Sequence, residues 1–357
     1  MFLAFQGKSK SVILSSIFFN IEYNNKMNTS QQDLEILENL SLKKQSFFNE
    51  ISKVLIGQEN ILNQILIALL SQGHTLLVGV PGLAKTLLVQ TLSEVLNLSF
   101  KRIQFTPDLM PSDITGTELI DIDQNTGQRS FRFHPGPIFA NLVLADEINR
   151  TPPKTQAALL EAMQEHRVTA GGKTYNLDKP FFVLATQNPI EQEGTYPLPE
   201  AQLDRFMFNL NIDYPSEKDE ILIVRNTTTT EKSSLNPIIN KEDLISFQKL
   251  IRKIPISDNV VEHAVKLVSA TRPQSKTSPD FIKQSIDWGA GPRASQYLVL
   301  GAKAKAALDG NPTPSIDDVN SLVLPVLRHR VLPNFNAEAE GLKIEDILNQ
   351  LINSFSK

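Results

Sequence analysis

Between Thr75 and Val95 a short apolar run, a turn bearing two glycines and an amphipathic helix follow without a break: TLLV, then GVPGLAKT, then the remainder of KTLLVQTLSEV. A strand that passes straight into a helix cannot pair with its successor as a hairpin. The helix carries the chain back to the start of the strand, so the next strand runs parallel. The pattern recurs. SFKRIQF, NLVLADE, PFFVLATQN and FMFNLNI are further apolar runs, and PKTQAALLEAMQEH is a helix between the third and fourth strands. This alternation predicts a parallel sheet covered on both faces.

Two stretches break the alternation. ELIDIDQNTGQRSFRF, within residues 111–138, and RVTAGGKTYNL, within 165–180, each read as paired extended runs around a turn, so both are expected to be hairpin insertions. Upstream, Phe47, Phe48, Ile51, Val54 and Leu55 recur at helical spacing, IGQEN interrupts, and Ile61, Leu62, Ile65, Leu66 and Leu69 resume it. Residues 1–40 read as a poorly defined extension, loosely ordered or weakly helical. After Tyr214-Pro215 a polar Thr/Ser tract gives way to segments that all read helical, with Ser257, Asp258 and Ser315 as N-cap candidates. The expected organisation is an α/β domain over 41–215, a linker over 216–240 and a smaller all-α domain over 241–357.

The turn itself carries chemistry. Gly79, Val80, Pro81, Gly82, Leu83, Ala84, Lys85 and Thr86, followed by Leu87, match the phosphate-binding pattern G-x-x-x-x-G-K-[ST] except at Ala84, where the pattern has glycine. Backbone N–H groups of such a loop, with the helix N-terminus behind them, cradle phosphates. Lys85 would neutralise the β- and γ-phosphates, and the Thr86 hydroxyl would ligate Mg2+. Ala84 is expected to stand already in helical backbone, where a methyl is tolerated. The alternative is a plain strand-to-helix turn that uses glycine for geometry.

LVLADE ends an apolar strand in Asp146-Glu147. A carboxylate there can hold Mg2+ through water, and its neighbour can activate the attacking water. LATQNP ends another strand at Asn188, which could orient that water, although Asn before Pro also starts turns. In LPEAQLDRF, Arg205 could reach the γ-phosphate of a neighbouring subunit. In GAGPRAS, Arg293 sits at a helix start, a poor electrostatic position for a cation, which favours a ligand-facing role for a lid that reaches back to the phosphates. Gly57-Gln58 in VLIGQEN could approach an adenine edge.

In order and spacing, IGQ, GVPGLAKT, LVLADEINR, ATQNP, LPEAQLDRF and GPRAS resemble the MoxR family of AAA+ ATPases over roughly residues 40–335. The resemblance implies a P-loop fold with a five-stranded parallel sheet of order 5-1-4-3-2 and a helical lid. It assigns Gly79 to Thr86 to Walker A, Asp146 and Glu147 to Walker B, Asn188 to sensor 1, Arg205 to the arginine finger and Arg293 to sensor 2. It makes the first insertion a helix-2 insert and the second a pre-sensor hairpin. It further implies ATP and Mg2+, a homo-oligomeric ring, usually a hexamer, and a chaperone-like ATPase that matures or remodels partner complexes. A partner with a von Willebrand factor A domain would have to be a separate chain. Two other AAA+ readings stand beside it, a metal-chelatase motor subunit and a nucleic-acid motor, together with a nucleotide-regulated binding module without turnover.

Composition narrows these. The net charge of -4 and the lack of basic clusters count against nucleic acid. There is no cysteine, which removes disulfide, iron–sulfur and thiol chemistry, and the 5 histidines are scattered without a zinc spacing. No apolar run approaches the ~20 residues that span a bilayer. Lys8 and Lys10 before SVILSSIFF faintly suggest a signal peptide, but no cleavage site follows and Met27 offers a second start, so an N-terminal extension and a cytoplasmic protein are expected.

Overall fold

The computed structural model describes residues 31–122, 129–190, 194–228 and 234–355. Its centre is a five-stranded parallel sheet of β1 (Thr75–Val78), β2 (Phe100–Gln104), β5 (Leu142–Asp146), β8 (Phe182–Gln187) and β9 (Phe208–Asn211), in the order β2-β5-β8-β1-β9. Counting only these strands, that is the expected order 5-1-4-3-2.

Each strand feeds two cores because its side chains alternate between faces. Leu77, Leu144, Leu184 and Phe208 point into one core, and Leu76, Val143, Val183 and Ala185 into the other. The first core is shared with α1 (31–51), α2 (Glu59–Leu70), α3 (Lys85–Val95) and the helices of the C-terminal part. The second is closed by α4 (Pro111–Thr115) and α5 (Pro153–Glu165).

Helix α1 begins inside the tract read as loosely ordered or weakly helical. It covers 31–40, placed above in a poorly defined extension, because Leu37 and Leu40 are buried in line with Phe47 and Ile51. Residues 1–30, with Lys8, Lys10 and Met27, lie outside the described residues.

The insertions are antiparallel ribbons. β3 (Gly116–Ile122) pairs with β4 (Arg129–Pro135), and β6 (Arg167–Ala170) pairs with β7 (Lys173–Asn176). The NTG turn of the first lies outside the described residues; the second turns at Gly171 and Gly172, both at positive φ. The ribbons are joined: the rings of Phe133 and Tyr175 stack at 4.0 Å, with Phe139 edge-on to Phe133 at 5.7 Å.

Helix α6 (Glu200–Leu203) precedes β9, and after the strand come α7 (Glu217–Thr227), α8 (Lys241–Lys253), α9 (Asp258–Ala270) and α10 (Asp280–Ser285). A small ribbon of β10 (Ile286–Trp288) and β11 (Leu332–Pro333) frames α11 (Pro292–Leu308), α12 (Ile316–Ser321) and α13 (Val323–Leu327); α14 (Phe335–Ala339) and α15 (Ile344–Phe355) finish the chain. Ser315 caps α12 in a reciprocal box with Asp318. Among the described residues no helix is long and apolar enough to cross a membrane.

Candidate nucleotide site

The loop Gly79–Thr86 leaves the C-terminal end of β1 and opens α3. Gly79 N–H donates to Gln187 O at 3.2 Å, which ties the loop to the tip of β8. Gly82 has φ +87, and a Cβ there would meet nothing within 4 Å, so its backbone faces open space. Ala84 overturns the expectation of helical backbone. It is the N-cap of α3 in the left-handed region, φ 54 and ψ 26. The position asks for what glycine supplies without steric penalty, and alanine holds it under strain. The residue is exposed, so the methyl displaces no core atom.

Lys85 Nζ donates to Gly79 O and is half-buried. Burial pulls its ammonium below the ordinary lysine range, while Asp146 and Glu147 draw it back up. The two carboxylates end β5, with β8 between β5 and β1.

Thr186, fully buried on β8, joins them: its hydroxyl donates to Asp146 Oδ1 at 2.7 Å and accepts Glu147 N–H at 2.8 Å. Glu147 stands at φ 57, a left-handed position for a non-glycine residue. Strain of this kind collects at functional sites, where the surroundings over-determine it. Its Oε2 accepts from Gln104 Nε2 at 3.0 Å and from Arg150 at 2.9 Å. Asp146 Oδ2 accepts from Arg102. Arg102 and Gln104 are two apart on β2, so one face of that strand serves both carboxylates.

Asn188 follows β8 and is buried, and its Oδ1 accepts Ile190 N–H at 3.2 Å, so its oxygen shapes the turn. On the other flank Gly57 has φ +75, and a Cβ there would lie 2.8 Å from Asp219 Oδ2. Gln58 Nε2 donates to Leu83 O at 3.4 Å, and Gln58 Oε1 is buried without a protein partner.

The two arginines lie elsewhere. Phe208 is in register with Thr75, the first residue of β1, whereas the loop follows Val78, its last. Arg205, three residues before Phe208, is therefore at the opposite end of the sheet, on the order of 10 Å away along β1. It lines a cavity of about 660 Å3 with Ala157, Gln164, Arg167 and Gln202.

Arg293, expected in a lid that reaches the phosphates, is engaged by Asp204 in this structure. Its guanidinium pairs with Asp204 Oδ2 at 3.0 Å. That ion pair accounts for the cation at a helix start. Arg330, buried, grips the same turn, donating to Asp204 Oδ1 at 2.7 Å and to the carbonyls of Asp204, Phe206 and Met207. Tyr297 OH donates to Arg205 O at 3.3 Å. Three C-terminal side chains thus fix the backbone that presents Arg205. Of the scattered histidines, His74 and His329 are buried, and no group of three or more His, Cys, Asp or Glu side chains that could hold a metal occurs among the described residues.

Residues 74–208 match the model of the ATPase family associated with various cellular activities (AAA), and 281–351 match an AAA lid domain. Chaperone MoxR1 of Mycobacterium tuberculosis is 41% identical over 303 residues, covering 85% of this chain and 79% of that protein. The chain belongs to the MoxR family of AAA+ ATPases. An uncharacterized Bacillus subtilis protein, YeaC, is 44% identical over 85% of this chain and 91% of its own length. Protein MoxR of Methylorubrum extorquens is 27% identical over 80% and 86%. In three dimensions, a provisionally assigned ATPase of Cytophaga hutchinsonii matches with TM-score 0.84 and 40% identity, covering 92% of this chain and 98% of that one.

Family membership makes sense of the five-stranded MoxR-type sheet and the helices that follow it. Thr186, Arg102, Gln104, Arg150 and Arg330 went unnoticed in the sequence. Only the spacing of Arg102 and Gln104 on one strand face, opposite an acidic strand end, could have signalled any of them.

Proposed function

We propose that this MoxR-family chain binds and hydrolyses ATP at the Gly79–Thr86 loop, acts as a homo-oligomeric ring, a hexamer in the cytoplasm, and spends the hydrolysis on chaperone-like maturation or remodelling of partner proteins. The observation that carries the catalytic part is the fixing of Glu147, whose backbone is held by Thr186 and whose carboxylate is held by Gln104 and Arg150, one residue from Asp146.

The residues suit the nucleotide. The backbone at Gly82 is open, Lys85 supplies a cation, and the orphaned Gln58 Oε1 would accept from an adenine amino group. The hard oxygens of Thr86 and Asp146 suit Mg2+. Bound there, Mg2+ would neutralise charge on the β- and γ-phosphates. Lys85 neutralises the same phosphates, and Glu147 takes the proton of the attacking water. Asn188 orients that water through its amide, and Arg205 stabilises transition-state charge. Arg205 and its neighbour Arg293 lie too far from their own loop, which supports action on the nucleotide of an adjacent copy. The partner is a separate protein, with a von Willebrand factor A domain as the family resemblance implies.

The test is Glu147→Gln. The variant is expected to bind ATP as tightly as the parent and to hydrolyse none. Hydrolysis that survived in the purified variant would remove Glu147 as the base.

A further inference from the structure

Gln156 stands one turn into α5 and is fully buried. Leu159, Leu160 and Met163 are buried on the same helix, so an apolar side chain would pack there with no polar atom to satisfy. The amide acts instead as a staple. Its Nε2 donates to Ile148 O at 3.2 Å, to Thr151 O at 3.0 Å and to Tyr196 O at 3.0 Å. Turning the amide over would set Oε1 against three carbonyls, so its orientation is fixed. Oε1 itself is buried without a hydrogen-bond partner among the described residues.

The three carbonyls belong to two segments. Ile148 and Thr151 bracket the short turn that follows Glu147, and Tyr196 lies on the segment that follows Asn188. A second bond closes the same junction, Tyr196 N–H donating to Asn149 O at 2.6 Å. Pro152 and Pro153, next in the chain, have no N–H to offer those carbonyls. The turn needs such a hold. Glu147 stands at φ 57, and a left-handed residue of this kind persists only where its surroundings over-determine it. Thr186 fixes the Glu147 N–H from the sheet, and Gln156 fixes the carbonyl of the residue after it from α5.

We propose that Gln156 is a positioning residue for hydrolysis: its amide clamps the turn behind Glu147 to the Tyr196 segment and so holds the Glu147 carboxylate where it meets the attacking water. The proposal rests on the reading above that Glu147 is the general base. Gln156 acts through Glu147 and not on the nucleotide, so its loss falls on the chemical step and spares binding.

The experiment uses three variants of the full chain. Gln156→Glu keeps the shape but, as a carboxylate, cannot donate. Gln156→Met keeps the volume without polar hydrogens. Gln156→Ala leaves a polar cavity in which water can serve the carbonyls. Folding is checked by circular dichroism, and affinity for a fluorescent ADP is expected to stay within about twofold of the parent. Single-turnover hydrolysis of bound ATP is expected to fall roughly 10- to 100-fold. A double-mutant cycle separates positioning from packing. Thr186→Val frees the same residue from the other side, so the combined loss in rate is expected to be smaller than the product of the two. With Arg293→Ala, which acts on Asp204, the losses multiply.

A folded variant that binds ADP and hydrolyses ATP at the parent rate overturns the proposal, as do losses that multiply with Thr186→Val. Failure of all three variants to fold overturns it too, since Gln156 would then serve stability alone. Hydrolysis by Glu147→Gln would instead remove the reading on which the proposal rests.

Discussion

Arg102 lies across Asp146: its Nε and Nη2 both donate to Oδ2, at 3.1 and 2.6 Å. The carboxylate that would help hold Mg2+ is thus already neutralised by a half-exposed arginine. Exposed ion pairs are worth up to about 1 kcal/mol. Arg102→Ala is therefore expected to lower the Mg2+ concentration needed for half-maximal nucleotide binding by up to about fivefold. Titration of fluorescent ADP binding with Mg2+ measures this, and an unchanged midpoint would mean that the two cations do not compete.

Thr186 is a single hydroxyl with two obligations. Thr186→Val leaves the Glu147 N–H without its acceptor and is expected to cost about 1–3 kcal/mol. Hydrolysis should fall with it, and Thr186→Ser should restore most of both. Denaturant midpoints and single-turnover rates give the two readouts; equal behaviour of the valine and serine variants would count against the hydroxyl.

At the loop, Ala84→Gly is expected to raise stability by about 1 kcal/mol, because it relieves a left-handed alanine. Gly82→Ala should do the reverse by a similar amount, since its φ of +87 disfavours a side chain even though space is free. Thermal melting without nucleotide tests both signs. A large gain in ATP affinity for Ala84→Gly would show instead that the methyl crowds the phosphates.

Mixed assemblies test the arginines. Arg205→Ala and Glu147→Gln proteins, each inactive alone, are expected to regain part of the parent ATPase rate when combined, because each supplies what the other lacks. Absence of any rescue across mixing ratios would count against action in trans. Arg293→Ala should lower the rate less than Arg205→Ala, since Arg330 continues to hold Asp204.

The pH dependence has a definite sign. His74 is buried, with Nδ1 accepting Val183 N–H, and burial lowers its pKa from 6.5 to about 4. The unfolded chain takes up the proton first, so stability is full above the unfolded value and is lost as pH falls towards the folded one. Between pH 6.5 and 5 the loss from His74 is about 2 kcal/mol. His329, also pushed down by burial, adds to it in the same direction. Urea midpoints across that range check the slope; a flat profile would show that neither histidine is buried neutral.

The sheet was legible because each strand alternates between two cores, and the loop and acidic pair because both stand at strand ends. Ala84 was misread because residue type reports helix propensity and says little about a single φ. Thr186 and Arg102 could not be seen, since they meet Asp146 only after β2, β5 and β8 lie side by side. The same holds for Arg330, which meets Asp204 across 126 positions of chain. The helix at 31–40 did leave a signal: Leu37 and Leu40 continue the spacing of Phe47 and Ile51, diluted by charged neighbours.

The stacked rings of Phe133 and Tyr175 join two separate ribbons into one arm. The second ribbon begins where α5 ends, and α5 begins just beyond the short turn that holds Glu147. The two ribbons are thus one unit, joined through α5 to the turn that carries Glu147. If Glu147 is the base proposed above, a partner that grips the arm is expected to change the rate of hydrolysis.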